Sequence, residues 1–87
     1  MVSSLPMRVI ESKRVRRLYQ QVQRTRKNCA FEDLEALLLA VGFIERKTSG
    51  SHVFFKKGSL AISVPKRRPV KENYVEKALE LVELSIA

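Results

Sequence analysis

The feature that most constrains the fold is a change of hydrophobic period, from helical to alternating and back to helical, within 87 residues. Phe31, Leu34, Leu37, Leu38 and Val41 recur at the i, i+3, i+7 spacing that makes one apolar stripe on a helix. Glu32 and Asp33 suit the positive N-terminal end of that helix, and Gly42 suits its stop. From Phe43 the period changes. Three short runs, Phe43 to Thr48, Ser51 to Lys56 and Leu60 to Val64, are separated by Ser49-Gly50 and by Lys57-Gly58-Ser59. Runs this short, joined this tightly, predict an antiparallel meander.

Pro65 and Pro69 then bracket Lys66-Arg67-Arg68, which reads as a loop because proline cannot donate to a strand ladder. Val75, Ala78, Leu79, Val82 and Ile86 restore the helical period, with Glu72, Glu76, Glu80 and Glu83 as an outward acidic row. Upstream, Val15, Leu18, Tyr19 and Val22 mark a leading helix whose other faces carry Lys13, Arg14, Arg16, Arg17 and Arg24.

The expected class is therefore α+β: an α-β-β-β-α core over residues 29–87, with an antiparallel three-stranded sheet, preceded by an extra N-terminal helix in a basic extension over residues 1–28. Two helices on one face of a three-stranded sheet bury these stripes economically and leave the other face open. On the middle run, His52, Phe54 and Lys56 point one way and Val53, Phe55 and Lys57 the other, so either face could be the core. The element order is shared with double-stranded-RNA-binding domains, which hold RNA through phosphates and 2′-hydroxyls. A chain this short buries roughly 60 to 65 % of its unfolded surface, enough for one domain with a thin core.

Charge narrows the partner. Seventeen Lys and Arg against nine Asp and Glu give +8 and a pI near 10.2, the balance of a nucleic-acid-binding protein. The cations are gathered. Residues 8 to 27 hold eight with only Glu11, and residues 43 to 71 hold eight with only Glu45. Arg46, Lys47, Lys56, Lys57, Lys66, Arg67, Arg68 and Lys71 are the expected phosphate contacts. An anionic membrane is the rival partner, but no apolar run approaches the roughly 20 residues of a transmembrane helix, and the N-terminus lacks the apolar core of a signal peptide. A single cysteine, Cys29, fits a reducing, cytoplasmic compartment and reads as a small buried residue. Glycine-rich phosphate loops, nucleophile elbows and zinc-ligand spacings are missing, so neither cofactor nor metal is expected.

One side chain could carry chemistry. His52, the sole histidine, follows Gly50 and Ser51 at the rim of the expected sheet. RNA cleavage without a metal needs a base that works near pH 7 to take the 2′-hydroxyl proton as that oxygen attacks the adjacent phosphate, and imidazole is the natural choice. Nearby Lys and Arg would neutralise charge growing on the phosphate, and Ser51 with the Gly50 amide would orient it. A lone histidine is more often an ordinary surface or packing residue, so the same features also describe a non-catalytic RNA-binding module. Tyr74 fits either packing at a helix start or a contact on the sheet side.

Four segments in order carry a resemblance: Phe31-Glu-Asp-Leu-Glu-Ala-Leu-Leu-Leu-Ala-Val-Gly-Phe43, Gly50-Ser-His52, Ser63-Val-Pro65 and Pro69-Val-Lys-Glu-Asn-Tyr-Val75. Together, over about residues 13 to 84, the chain resembles the HicA toxins of toxin-antitoxin systems. The resemblance implies a double-stranded-RNA-binding-like fold, metal-independent cleavage of mRNA, inhibition by a HicB-type antitoxin, and a catalytic histidine at His52. Two positions depart from the family pattern. Ala30 stands where many members have Ser or Thr, which removes a helix N-cap worth about 1 kcal/mol. Val53 stands where many have a second polar or histidine residue.

Overall fold

The structure is a computed structural model and describes residues 13–48 and 50–86. The first twelve residues of the expected basic extension, with Arg8 and Glu11, lie outside the described residues, as do Ser49 of the first turn and Ala87. The elements run α1 (Lys13–Arg24), a 3-10 turn (Arg26–Asn28), α2 (Phe31–Ala40), β1 (Ile44–Lys47), β2 (His52–Lys57), β3 (Leu60–Pro65) and α3 (Glu72–Ile86). The strands form one antiparallel sheet in the order β1-β2-β3. The class is α+β, as the change of period predicts.

The ladder decides which face is covered. Phe55 lies opposite Ile62 and Val53 opposite Val64, and because paired residues share a face, these four point together. All four are buried, with Phe55 and Val64 fully so. Helices cover this side. Phe31 of α2 meets Phe55 of β2 with ring centroids 6.4 Å apart at a tilted 43°, a favourable aromatic arrangement. From α3, Val75, Ala78 and Val82 reach the same core with no exposure.

Helix α1 belongs to this core. Its stripe of Val15, Tyr19 and Val22 is buried in one cluster with the side chains of α2, α3 and the sheet, and Val22 is fully enclosed. Tyr19 also donates its hydroxyl to the Glu83 carboxylate. Glu83 therefore departs from the outward acidic row expected of it: α1 lies across the end of α3 and gives that carboxylate a partner. Glu76 and Glu80 remain exposed.

Helix α2 ends as its sequence predicts. Phe43 N–H donates to the Leu38 carbonyl at 3.0 Å and Gly42 N–H to Leu39 at 3.1 Å, the paired reverse bonds of a Schellman stop. Gly42 takes φ +106°, a conformation L side chains rarely adopt. The carbonyl of the cap residue, Val41, accepts from Lys57 Nζ at 2.7 Å. At the other end Ala30 occupies the N-cap with extended backbone and no side-chain hydrogen bond to the helix.

Candidate active site

His52 opens β2 on the uncovered face. It pairs with Pro65, Phe54 with Ser63 and Lys56 with Ala61, while Arg46 of β1 pairs with Phe54 and Ile44 with Lys56. His52, Arg46, Lys56, Ala61 and Ser63 are exposed and Phe54 is half-buried. The open face is thus the His52-Phe54-Lys56 face.

Local hydrogen bonds hold the catalytic candidate by its main chain. The Thr48 hydroxyl donates to the His52 carbonyl at 3.0 Å, and the Thr48 amide does so at 3.4 Å, closing the β1-β2 turn. Gly50 in that turn has φ +84°, and an added Cβ there would meet open space, so the glycine is required by conformation and not by crowding. On the other side the Lys66 amide donates to the Ser51 carbonyl at 2.6 Å, prolonging the β2-β3 ladder past His52 and bringing the basic loop to the histidine.

These contacts form the wall of a cleft of about 410 Å³. Ser51, His52 and Pro65 line its sheet side, and Lys66, Arg67, Lys71 and Tyr74 line its loop and helix side. The Arg67 amide donates to the Pro65 carbonyl at 2.9 Å, a tight turn that keeps Arg67 beside the strand end. Tyr74, undecided from sequence, faces this cleft from the first turns of α3 and is half-buried. The cleft therefore holds an imidazole, three cations and a phenol.

The other expected phosphate contacts sit elsewhere. Arg68 is exposed and forms an ion pair with Glu32 at the start of α2, and that guanidinium holds the Glu32 carboxyl below the ordinary carboxylate range. Together with the Val70 amide donating to the Cys29 carbonyl at 2.8 Å, the pair ties the basic loop to the head of α2. Lys47 shares the helix-side face of the sheet with Val53, in a concavity with Glu35, Glu45 and Lys66. Glu35 is pushed above the ordinary carboxylate range, first by burial, then by a hydrogen bond and the charge of Glu45, with Lys66 opposing. Arg46 and Lys56 stand on the open face, whereas Lys57 turns toward the helices and Val41.

Sequence reasoning missed Thr48 beside this site and left Tyr74 undecided. Thr48 carried a usable signal, since a Thr opening a Gly-containing turn commonly bonds the backbone a few residues on. Tyr74 carried none stronger than its position three residues after Lys71 at a helix start. Cys29 is fully buried and burial pushes its thiol above the ordinary value, as befits a packing residue. Among the described residues, no three His, Cys, Asp or Glu side chains converge as metal ligands would, and no helix is long and apolar enough to cross a membrane. Comparisons with protein-family models, curated proteins and solved structures gave no match to this chain.

Proposed function

We propose that this chain is an endoribonuclease toxin of the HicA type, with a double-stranded-RNA-binding-like fold and His52 as its general base. One observation carries the reading: the sole histidine, exposed at the first residue of β2, shares one cleft at the strand end with Lys66, Arg67, Lys71 and Tyr74. An imidazole beside cations is what cleavage by an internal 2′-hydroxyl needs.

His52 takes the 2′-hydroxyl proton, the 2′-oxygen bonds to the neighbouring phosphorus, and the bond from phosphorus to the 5′-oxygen breaks. The products are a 2′,3′-cyclic phosphate and a 5′-hydroxyl. Lys66, Arg67 and Lys71 take up the charge that grows on the non-bridging oxygens, and Tyr74 offers an O–H to the departing 5′-oxygen. Ser51 and Gly50 shape the turn that presents His52. No cofactor or metal enters these steps, the substrate is mRNA in the cytoplasm, and a HicB-type antitoxin restrains the activity by covering the cleft.

A second reading, an RNA-binding module without catalysis, is favoured by the spread of cations beyond the cleft to Arg46 and Lys56. The test is incubation of the purified protein and its His52→Ala variant with a long single-stranded RNA in EDTA, followed by end-group analysis. Cleavage by the parent alone, leaving cyclic or 3′-phosphate ends, is the expected result. Equal cleavage by both proteins would remove His52 from the mechanism, and tight binding with no cleavage by either would leave the binding module.

A further inference from the structure

The open sheet face carries a second feature that the cleft does not use. Phe54 follows His52 by two residues along β2, so the two side chains point the same way, roughly 7 Å apart along the strand. Arg46 lies directly across from Phe54, and Lys56 is the next residue along that face. Phe54, Arg46 and Lys56, with Ile44 at 68 % exposure and with Gly42, Lys57 and Gly58 at the strand end, line a concavity of about 590 Å³ at the far end of the strand from the cleft. That volume falls within the range of small-molecule sites.

The charge pattern of the face identifies what fits. The strand residues that share it, from Ile44 to Lys56 and from Ala61 to Pro65, include cations, His52 and small or apolar side chains but no carboxylate. The one acid on the strands, Glu45, pairs with Phe55 on the covered side. An aromatic ring between two cations, on a bare sheet, matches the requirements of a single nucleic-acid strand. Its bases offer π faces, and its phosphates demand positive charge.

We infer that Phe54 is a base-stacking platform: a single-stranded RNA whose scissile phosphate lies at His52 crosses the open face, and one neighbouring base stacks on Phe54 with Arg46 and Lys56 on its phosphates. The inference rests on the cleft being an RNA site. It makes Phe54 a positioning residue that sets how the strand runs, and it gives the concavity a preference for unpaired RNA, since a base held in a duplex cannot lie flat on the ring.

The chain has no tryptophan, so Phe54→Trp places a unique fluorophore at the platform. In a His52→Ala background, which keeps RNA intact, titration with an unstructured oligoribonucleotide quenches the introduced indole, while an abasic strand of equal length and charge binds without quenching. In the same background Phe54→Leu weakens binding of the base-containing strand by roughly 5- to 100-fold and leaves the abasic strand unaffected. Thermal unfolding checks the Leu variant, and the Trp variant keeps the test in force should Leu fail to fold. An unquenched indole with RNA bound, or equal affinity of the Leu variant, overturns the platform and assigns the face to another partner, while cleavage by the parent still stands. Quenching by RNA in a protein whose parent does not cleave upholds the platform and removes only the catalytic reading. Absence of RNA binding by every variant at low salt overturns both.

Discussion

Thr48 holds His52 through the backbone, its hydroxyl and its amide converging on the same carbonyl oxygen. A side chain on the first residue of a strand is only as well placed as the turn before it. On the catalytic reading proposed above, the hydroxyl bond bears on the rate of cleavage more than on substrate binding. Thr48→Val keeps the shape and the amide bond but removes the hydroxyl, and should slow cleavage roughly two- to tenfold with little change in KM. Thr48→Ser should restore the rate. Single-turnover kinetics measure this, and an unchanged rate in the Val variant would release Thr48 from that role.

Lys56 and Lys57 are adjacent in sequence and opposite in use. Lys57 reaches the Val41 carbonyl at the end of α2, where a cation also meets the negative end of the helix. Lys57→Met should lower stability by about 1–2 kcal/mol, read by urea unfolding. Lys56→Met on the open face should leave stability within about 0.5 kcal/mol of the parent. It should also reduce the salt dependence of RNA binding by about one phosphate contact. Reversed results for the two lysines would contradict the register of β2.

The raised Glu35 carboxyl makes stability depend on pH. A folded-state value above the unfolded one means that the native state binds the proton more tightly, so stability falls as pH rises from about 4.3, the ordinary glutamate value, through the folded value. The penalty is therefore larger at neutral pH than below the unfolded value. Glu35→Gln should therefore be more stable than the parent at pH 7, by about a few tenths of a kcal/mol because water screens this half-exposed pair. The gap should close below about pH 4. Urea denaturation at the two pH values decides it, and an equal gap at both would show that titration is not the cause.

Ala30 leaves the head of α2 without a side-chain cap although its backbone has the extended conformation a cap needs. Ala30→Ser or Ala30→Asp should add about 1 kcal/mol, a rise of roughly 4–8 °C in Tm for a domain of this size. Calorimetry measures the shift. A loss of stability would mean that the half-buried position has no room for the added oxygen.

Much of this architecture is legible in the sequence because two independent patterns agree in it. The stripes of α2 and α3 and the three alternating runs each predict an element, and each is found to within a residue or two. Lys57 reads as a turn residue but pairs with Leu60 as the end of β2, and Pro65 closes β3 because an edge strand tolerates the missing donor. The direction of the sheet is ambiguous in β2 alone, where Phe54 and Phe55 point opposite ways. It is settled by β3, whose Ile62 and Val64 outweigh Ala61 and Ser63. The partner of Glu83 is invisible in the local pattern, since Tyr19 lies 64 residues away. The candidate site divides in the same way: His52, Lys66 and Arg67 stand out by residue type, whereas Tyr74 joins them only through the packing of α3 against the sheet.

The contact between Tyr19 and Glu83 also bears on the order of assembly. Helix α1 is made before α3, yet each completes the other's buried surface, and α3 with the residue before it supplies Tyr74 and Lys71 to the cleft. A domain of this kind folds as a unit, and synthesis runs from the N-terminus. Until the ribosome has released α3, the growing chain has a histidine but no cleft around it. On the reading proposed above, the growing chain gains the means to cut RNA only once α3 is free to pack.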